Sequence, residues 1–138
     1  MTFVKSLMIS LCLVSPALAA DEAVTEAVID YMDFATYESG IILPAQLSKD
    51  VFHAAKIVDV RDAEQYAQSH IPGAINIEWR EIPGRIDELP ETGLVILYCN
   101  TGTLSAQATF AARLLGHENV VVLQTGLTGW TETAEYKP

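Results

Sequence analysis

The sequence predicts an α/β fold in which a parallel sheet of about five strands is flanked by helices on both faces. Two observations predict it. After Gly40, short apolar runs rich in β-branched residues recur along the chain, as is typical of strands. Helix-like stretches separate these runs, and a chain in which strands and helices alternate forms a parallel sheet covered on both sides. Ligands of such sheets bind at the carboxyl ends of the strands.

The predicted strands are the apolar runs themselves. Several of them lack polar alternation, which indicates burial on both faces of the sheet. The run that ends at Tyr98 is the most apolar and is expected to lie centrally. The strands are Ile41–Leu43, Ile57–Val60, Ala74–Ile77, Leu94–Tyr98 and Val120–Leu123.

Helical patterns fill the segments between the strands. A helix over Pro44–Phe52 opens with a proline, which suits a first turn. Asp62–Gln65 has the spacing of a capping box in which the aspartate is the cap. A third helix is predicted over Ser105–Leu115. Glu81–Gly93 holds two prolines and two glycines, so it is expected to form an irregular connection or short helical turns.

Two predicted helices show an apolar stripe at helical spacing. One is an acidic amphipathic helix over 21–36, before the first strand, which is expected to cover part of the core. The other is the helix that follows the central strand. The stripes are Ala23, Ala27, Tyr31 and Phe34 in the first helix and Ala106, Phe110 and Leu114 in the second.

The composition limits the classes of function. The chain has 138 residues and is 50% hydrophobic, so it suits one domain with a buried core and is not wholly disordered. Its 18 Asp and Glu against 8 Lys and Arg give a formal net charge of −10, which argues against binding to nucleic acid or anionic lipid. Two cysteines are too few for a disulfide scaffold or a four-cysteine zinc site.

Residues 1–19 have the pattern of a secretory signal peptide. Lys5 precedes the apolar run Leu7–Val14, and the small residues Ala17 and Ala19 suit a signal peptidase. The run is about half as long as a membrane-spanning helix needs, so cleavage is favoured over a retained anchor. We expect cleavage after Ala19, a single mature domain over 20–138, a periplasmic location and no membrane attachment after cleavage.

Cleavage would leave Cys99 as the one cysteine of the mature chain. Its thiol can be buried and inert, paired with another chain, or reactive, and burial is common for free cysteine. Cys99 follows the central strand and precedes a helix N-terminus, where loop amides and the helix dipole lower the pKa of a thiol. Gly102 allows the positive φ that the loop needs. Ser105 can cap the helix or donate to a bound oxyanion or persulfide.

Three motifs, in order along the chain, resemble the signatures of rhodanese domains. The resemblance covers about 41–130. With a signal peptide and a single domain, the chain is similar to the small, secreted, single-domain thiosulfate sulfurtransferases of bacteria. The motifs are Val58–Asp62 with Glu64 and His70–Ile77; Tyr98–Gly102 ending in Ser105; and Gly126–Leu127 with Gly129–Trp130.

This resemblance implies an exported sulfurtransferase that works through a persulfide and needs no metal or organic cofactor. A cysteine thiolate would take the outer sulfur of thiosulfate or of a persulfide donor, and a thiol or cyanide would then accept it. A protein donor or acceptor is a further class of partner. The catalytic residue would be Cys99, and the substrate-binding residues would be Asn100, Thr101, Gly102, Thr103, Leu104, Ser105, Arg61 and Arg80.

One position departs from the family pattern. Many rhodanese loops carry a cation five residues after the cysteine, where this chain has Leu104. Losing such a charged contact costs about 1.5–3 kcal/mol, so thiosulfate is expected to be a poor donor. The alternative function is a rhodanese-like sulfur-relay or partner-binding module with little turnover on small donors. Phosphatases and arsenate reductases of related fold are disfavoured, because they need an arginine where this chain has Ser105.

Other polar residues are expected to be structural. His53, His70 and His117 lie far apart in the sequence without metal-ligand spacing. His70 belongs to a turn and is expected to satisfy backbone groups rather than act as a general base. Arg61 and Asp62 are expected to pair and to cap a helix.

Overall fold

A computed structural model describes residues 16–138, with side chains from residue 22 onward. The predicted leader run Leu7–Val14 lies outside the described residues. The chain divides after Phe34 into two units. Within the described part of the chain, no helix is both long and apolar enough to cross a membrane.

The first unit contains the helix α1 at Pro16–Phe34. It begins before the acidic helix expected over 21–36, and the expected cleavage point after Ala19 falls within it. Its apolar side chains are largely exposed, including Val24, Met32 and Phe34.

The second unit holds a five-stranded sheet in the order β1-β5-β4-β2-β3, and every pairing in it is parallel. The predicted α/β fold is therefore confirmed. The most apolar strand, β4, lies in the middle between β5 and β2. The strands are β1 at Ile41–Ile42, β2 at Lys56–Asp59, β3 at Ile75–Asn76, β4 at Val95–Tyr98 and β5 at Val120–Leu123.

Helices cover both faces of the sheet because successive side chains of a strand point to opposite sides. On β4, Val95 and Leu97 join one buried cluster, and Ile96 and Tyr98 join the other. The helices are α2 at Lys49–Ala54, α3 at Ala63–Gln68, α4 at Thr103–Leu114 and α5 at Gly126–Thr133, with 3₁₀ helices at Pro44–Gln46 and Ile82–Glu88.

Two helical predictions before the central strand need correction in detail. The single helix expected over Pro44–Phe52 is interrupted, because Ser48 takes an extended conformation and caps α2 through Val51 N–H. Asp62 caps α3 as expected by accepting from Gln65 N–H at 2.9 Å. The Gln65 side chain instead contacts the Asp62 carboxylate, so the predicted capping box does not close on the backbone.

The helix after the central strand also differs from its prediction. It begins at Thr103 rather than Ser105, and Gly102 precedes it with a φ of +98°. Its predicted apolar stripe is wrong at Ala106, which is exposed. The buried face consists of small residues, Ser105, Ala108, Thr109 and Ala112, which allow the helix to lie close against the sheet.

Candidate active site

Cys99 lies directly after β4, at the carboxyl edge of the sheet. Its side chain is 3% exposed and belongs to the buried cluster that includes Leu97 and Ala108. The thiol of Cys99 is therefore buried rather than displayed on the surface. Burial alone is typical of an inert cysteine, so the reactivity of Cys99 depends on the groups around its sulfur.

The sulfur of Cys99 is held by hydrogen-bond donors. The backbone N–H of Gly102 donates to Sγ at 3.2 Å, and the Ser105 hydroxyl lies 3.5 Å from Sγ. Both donors stabilise the thiolate more than the thiol because they point at an acceptor that becomes negatively charged.

Opposing influences act on the pKa of the Cys99 thiol. Burial raises the pKa. Hydrogen bonds from the Ser105 hydroxyl and from the N–H groups of Ser105, Thr101 and Gly102 lower it. The donors prevail, and the pKa lies below the ordinary value of a cysteine, which increases the fraction present as the nucleophilic thiolate.

Ser105 is placed for this role by the early start of α4. It occupies the first turn of the helix and is fully buried. Its hydroxyl also donates to the Gly102 carbonyl oxygen at 3.1 Å, so this oxygen and Cys99 Sγ compete for its one proton. Ser105 lies within α4 and is therefore not its cap. Its donation to a bound oxyanion or persulfide stays a prediction.

The beginning of α5 is attached to the loop that carries Cys99. Leu127 N–H donates to the Cys99 carbonyl at 2.8 Å, and Thr128 N–H donates to the Asn100 carbonyl at 3.0 Å. Gly126 makes this approach feasible, since a β-carbon there would lie 2.3 Å from the Cys99 carbonyl oxygen.

Thr125, just before α5, has a φ of +64° and is the non-glycine residue with positive φ among the described residues. A β-branched residue rarely adopts that conformation. Gly129 leaves room for it, because a β-carbon at Gly129 would overlap the Thr125 side chain. Gly126 and Gly129 were identified from the sequence as part of a motif, but without a role. Glycine is the residue expected where two stretches of backbone approach each other closely.

Arg61 is buried and paired with Asp59. Its guanidinium forms an ion pair with Asp59 at 2.6 Å, with side-chain exposures of 4% and 0%. It also donates to the Ser69 carbonyl and to the Asn100 side chain at 3.0 Å. Most of its N–H donors are thus engaged, and Arg61 positions Asn100. Its contact with substrate stays a prediction.

Asn100 is the loop residue to which this network leads. Its amide group donates to the Gln65 side chain at 2.6 Å, while its side-chain oxygen accepts from Arg61. Both sides of the Asn100 amide are thus fixed by residues outside the loop. Arg61, from the first sequence motif, thus contacts Asn100, from the second.

Arg80 does not join the cysteine loop in any described contact. Its side chain is 72% exposed and pairs with Glu78 at 2.9 Å. The carboxylate raises the pKa of Arg80 and competes with any anion for the guanidinium. The structure therefore does not bring Arg80 together with Cys99, and its predicted role in donor binding has no geometric support.

The remaining predicted substrate residues form the outer rim of the loop. Thr101 and Thr103 are exposed, and their hydroxyl oxygens are 3.5 Å apart. Leu104 is 36% exposed, so an apolar side chain meets solvent where a cation is common in the family. The rim offers hydroxyl groups and an isobutyl group, but no positive charge.

The described contacts of His70 are with Tyr66 and not with the Cys99 sulfur. His70 is exposed, stacks on Tyr66 with ring centroids 4.1 Å apart, and contacts the Tyr66 carbonyl through Nδ1 at 2.9 Å. Among the described residues, no group of three or more His, Cys, Asp or Glu side chains could hold a metal ion.

Comparison with known proteins identifies a family and solved structures that this chain resembles. Residues 43–133 match the family model of the rhodanese-like domain. The solved structure of a rhodanese-related protein from Thermoplasma volcanium is 28% identical, with a TM-score of 0.61 over 70% of this chain and 93% of that one.

Two curated relatives are each similar to a little over 60% of the chain. The thiosulfate sulfurtransferase PspE of Escherichia coli is 38% identical over 87 residues, which are 61% of this chain and 84% of PspE. A candidate sulfur carrier protein of Bacillus subtilis, YrkF, is 31% identical over 86 residues, which are 62% of this chain. The match spans less than half of YrkF, 46% of its length.

Proposed function

This chain belongs to the rhodanese-like domain family, and we propose that it transfers sulfur through a persulfide on Cys99. The observation that carries the proposal is the hydrogen bonding of the buried Cys99 sulfur by Gly102 N–H and the Ser105 hydroxyl. Relatives named for sulfur transfer and sulfur carriage support the general activity.

The proposed reaction has two balanced steps. The Cys99 thiolate attacks the outer sulfur of thiosulfate, a new S–S bond forms, and the old S–S bond breaks as sulfite leaves with the electron pair. Cyanide or a thiolate then attacks the outer sulfur of the persulfide, and Cys99 leaves as a thiolate. No external oxidant or reductant is needed. The intermediate divides one transfer into two easier ones.

The loop supports both steps by stabilising negative charge. In the proposed persulfide, the negative charge lies on the outer sulfur atom and remains close to the loop. Backbone N–H groups at the head of α4 are fixed before the reaction, so they stabilise the developing anion without reorganising. The helix dipole acts in the same direction.

The donor is proposed to carry less charge than thiosulfate. Arg61 is engaged by Asp59, Arg80 is paired with Glu78, and Leu104 lies at the rim. The chain as a whole has a formal net charge of −10, so it does not steer a dianion toward the loop. A persulfide, either small or carried on a protein, fits this rim better.

The exposed Leu104 also supports the alternative, a relay module that receives sulfur from a partner protein and turns over slowly with small donors. The two functions differ in the donor that works and agree on Cys99. An apolar rim residue suits contact with a partner, because interface centres are depleted in charge. A small-molecule transferase needs no such contact.

The test compares two donors with one acceptor. Thiocyanate release is measured from thiosulfate and cyanide, and again from a persulfide-loaded protein and cyanide, using the wild type and Cys99→Ser. We expect release from both donors by the wild type, faster from the persulfide, and none above background from Cys99→Ser. Thiosulfate inactivity with persulfide activity supports the relay. Undiminished release by Cys99→Ser contradicts both functions.

We also propose export to the periplasm, supported by the leader pattern of residues 1–19. Expression of the full chain in a bacterium with two membranes, followed by osmotic release, tests it. The released protein is expected to begin at Ala20. Retention of residues 1–19 on protein in the cytoplasm would contradict the proposal.

A further inference from the structure

A cleft of about 390 Å³ opens beside the loop that carries Cys99. Its volume lies within the range of small-molecule sites. One lining residue, Thr101, comes from the loop itself, and the others come from α5 and the residue before it. These are Thr125, Thr128, Gly129, Glu132 and Thr133.

The cleft adjoins the loop that carries the sulfur. Thr101, which lines the cleft, lies in the chain between Cys99 and Gly102, whose N–H donates to Sγ. The opposite wall, α5, is bonded to the carbonyls of Cys99 and Asn100 through its first turn. A molecule in the cleft therefore lies against the same loop that would hold the persulfide.

Two of the four threonine hydroxyl groups in the lining can only accept a hydrogen bond from a ligand. The Thr125 hydroxyl donates to the Gln124 carbonyl, and the Thr133 hydroxyl donates to the Gly129 carbonyl. Each of these hydroxyl groups has one proton, so only its lone pairs remain for a ligand. The charged side chain among the lining residues is Glu132, an acceptor with a negative charge. The complementary ligand group is a cationic donor such as an ammonium group.

We propose that the cleft binds the amine-bearing part of an aminothiol, which accepts the sulfur from Cys99. This inference rests on the proposed function and specifies its acceptor. The acceptor thiol loses its proton to solvent, and its thiolate attacks the outer sulfur of the persulfide. An S–S bond to the acceptor forms, the S–S bond to Cys99 breaks, and the Cys99 thiolate is restored. In the earlier loading step the rest of the donor left, as sulfite from thiosulfate or as a thiolate from a persulfide.

Three thiols that differ mainly in one end group test the charge preference. Cysteamine ends in an ammonium group, 2-mercaptoethanol in a hydroxyl group and mercaptoacetate in a carboxylate. The apparent KM of each is measured with wild type, Glu132→Lys and Glu135→Lys, after loading with a persulfide donor. Glu135 is exposed and does not appear in the cleft lining, so its reversal changes the net charge equally.

We expect Glu132→Lys to raise the KM for cysteamine about fivefold relative to 2-mercaptoethanol, the size of an exposed ion-pair contact, and to lower it for mercaptoacetate. Glu135→Lys is expected to keep the wild-type order. Equal shifts in the two variants would mean that only net charge matters and would overturn the proposal.

A bulky substitution tests the cleft without changing charge. Thr128→Trp is expected to slow transfer to the three thiols more than transfer to cyanide, which needs little space. Thr131→Trp, on the same helix but outside the cleft lining, is the matched control. Equal effects on thiols and cyanide would contradict a thiol site in the cleft.

The wild type distinguishes the two proposals. Transfer to cyanide but to none of the thiols contradicts the acceptor inference alone. Transfer to no acceptor contradicts the proposed function, and the acceptor inference with it.

Discussion

Gly126 lies against the carbonyl oxygen of Cys99 so closely that a β-carbon at Gly126 would be 2.3 Å from that oxygen. The contact lets Leu127 N–H and Thr128 N–H bond to the first two carbonyls of the cysteine loop. The loop is therefore held from outside by α5 as well as from within by the head of α4. Precise placement of the sulfur depends on both helices.

Gly126→Ala is expected to reduce both stability and transfer. The added carbon overlaps backbone that cannot move without displacing Cys99, and φ at Gly126 is +56°. We expect a loss of about 2 kcal/mol or more in the free energy of unfolding, measured by urea denaturation, with a lower kcat. Gly84→Ala is the control, because a β-carbon there meets nothing within 4 Å. An equally stable and active Gly126→Ala protein would contradict the contact.

Ser105→Ala is expected to raise the pKa of the Cys99 thiol, because it removes the side-chain donor to Sγ. The rate of alkylation measured against pH reports the shift as a displacement of the profile to higher pH. Thr109→Ala is a matched control: it also removes a buried hydroxyl from α4, one that has no hydrogen-bond partner among the described residues. Identical profiles for wild type and Ser105→Ala would exclude the role given to Ser105.

The lowered pKa of Cys99 also predicts a pH dependence of stability. The folded thiol ionises at lower pH than the unfolded one, so the contribution is fully present above the unfolded pKa and is lost as pH falls through the folded pKa. Urea denaturation across that range should show this dependence in wild type, and a weaker dependence in Ser105→Ala. Equal dependence in the two proteins would contradict the assignment of the shift to Ser105.

Arg61→Ala is expected to destabilise the protein strongly, because it leaves the Asp59 carboxylate buried without its cation. Breaking one side of such a pair costs about 3–5 kcal/mol, seen as a lower urea midpoint. Transfer should fall as well, since Asn100 loses a partner. Arg80→Ala, in an exposed pair, is the comparison, and we expect a much smaller change in stability. Similar midpoints for the two variants would refute the structural role of Arg61.

Leu104→Arg is expected to improve the use of thiosulfate. It places a cation on the exposed rim of the loop, and a charged contact of about 1.5 kcal/mol corresponds to a KM about tenfold lower. Leu115→Arg adds the same charge at the other end of α4, where Leu115 is 54% exposed. An equal improvement in both variants would show that net charge, rather than a rim contact, limits the donor.

The sheet and the place of Cys99 could be predicted because they follow from local signals. Apolar β-branched runs mark β2, β4 and β5, and the chain turns polar where each strand ends. The ends of parallel strands share one edge, which brings the cysteine to the ligand-binding side. The ion pair between Asp59 and Arg61 could also have been predicted from the sequence, because side chains two residues apart in an extended chain point to the same side.

The rest of the site depends on contacts between distant segments. The start of α4 follows from the left-handed conformation of Gly102 and not from a capping side chain, so a search for caps places it too late. The buried face of α4 consists of small residues. A search for hydrophobic periodicity gives such residues little weight and selects Phe110 and Leu114 instead. The role of Gly126 follows from a neighbour 27 positions earlier in the chain, and nothing in the local sequence specifies that distance.

Intact mass spectrometry of the protein before and after a sulfur donor tests the central claim most directly. After exposure to a persulfide donor or to thiosulfate, we predict a gain of about 32 Da, one sulfur atom, located on Cys99 and lost when cyanide is added. Cys99→Ser should gain nothing. An unmodified Cys99 that alkylating agents still label after both donors, or an equal gain by Cys99→Ser, would contradict transfer through a Cys99 persulfide.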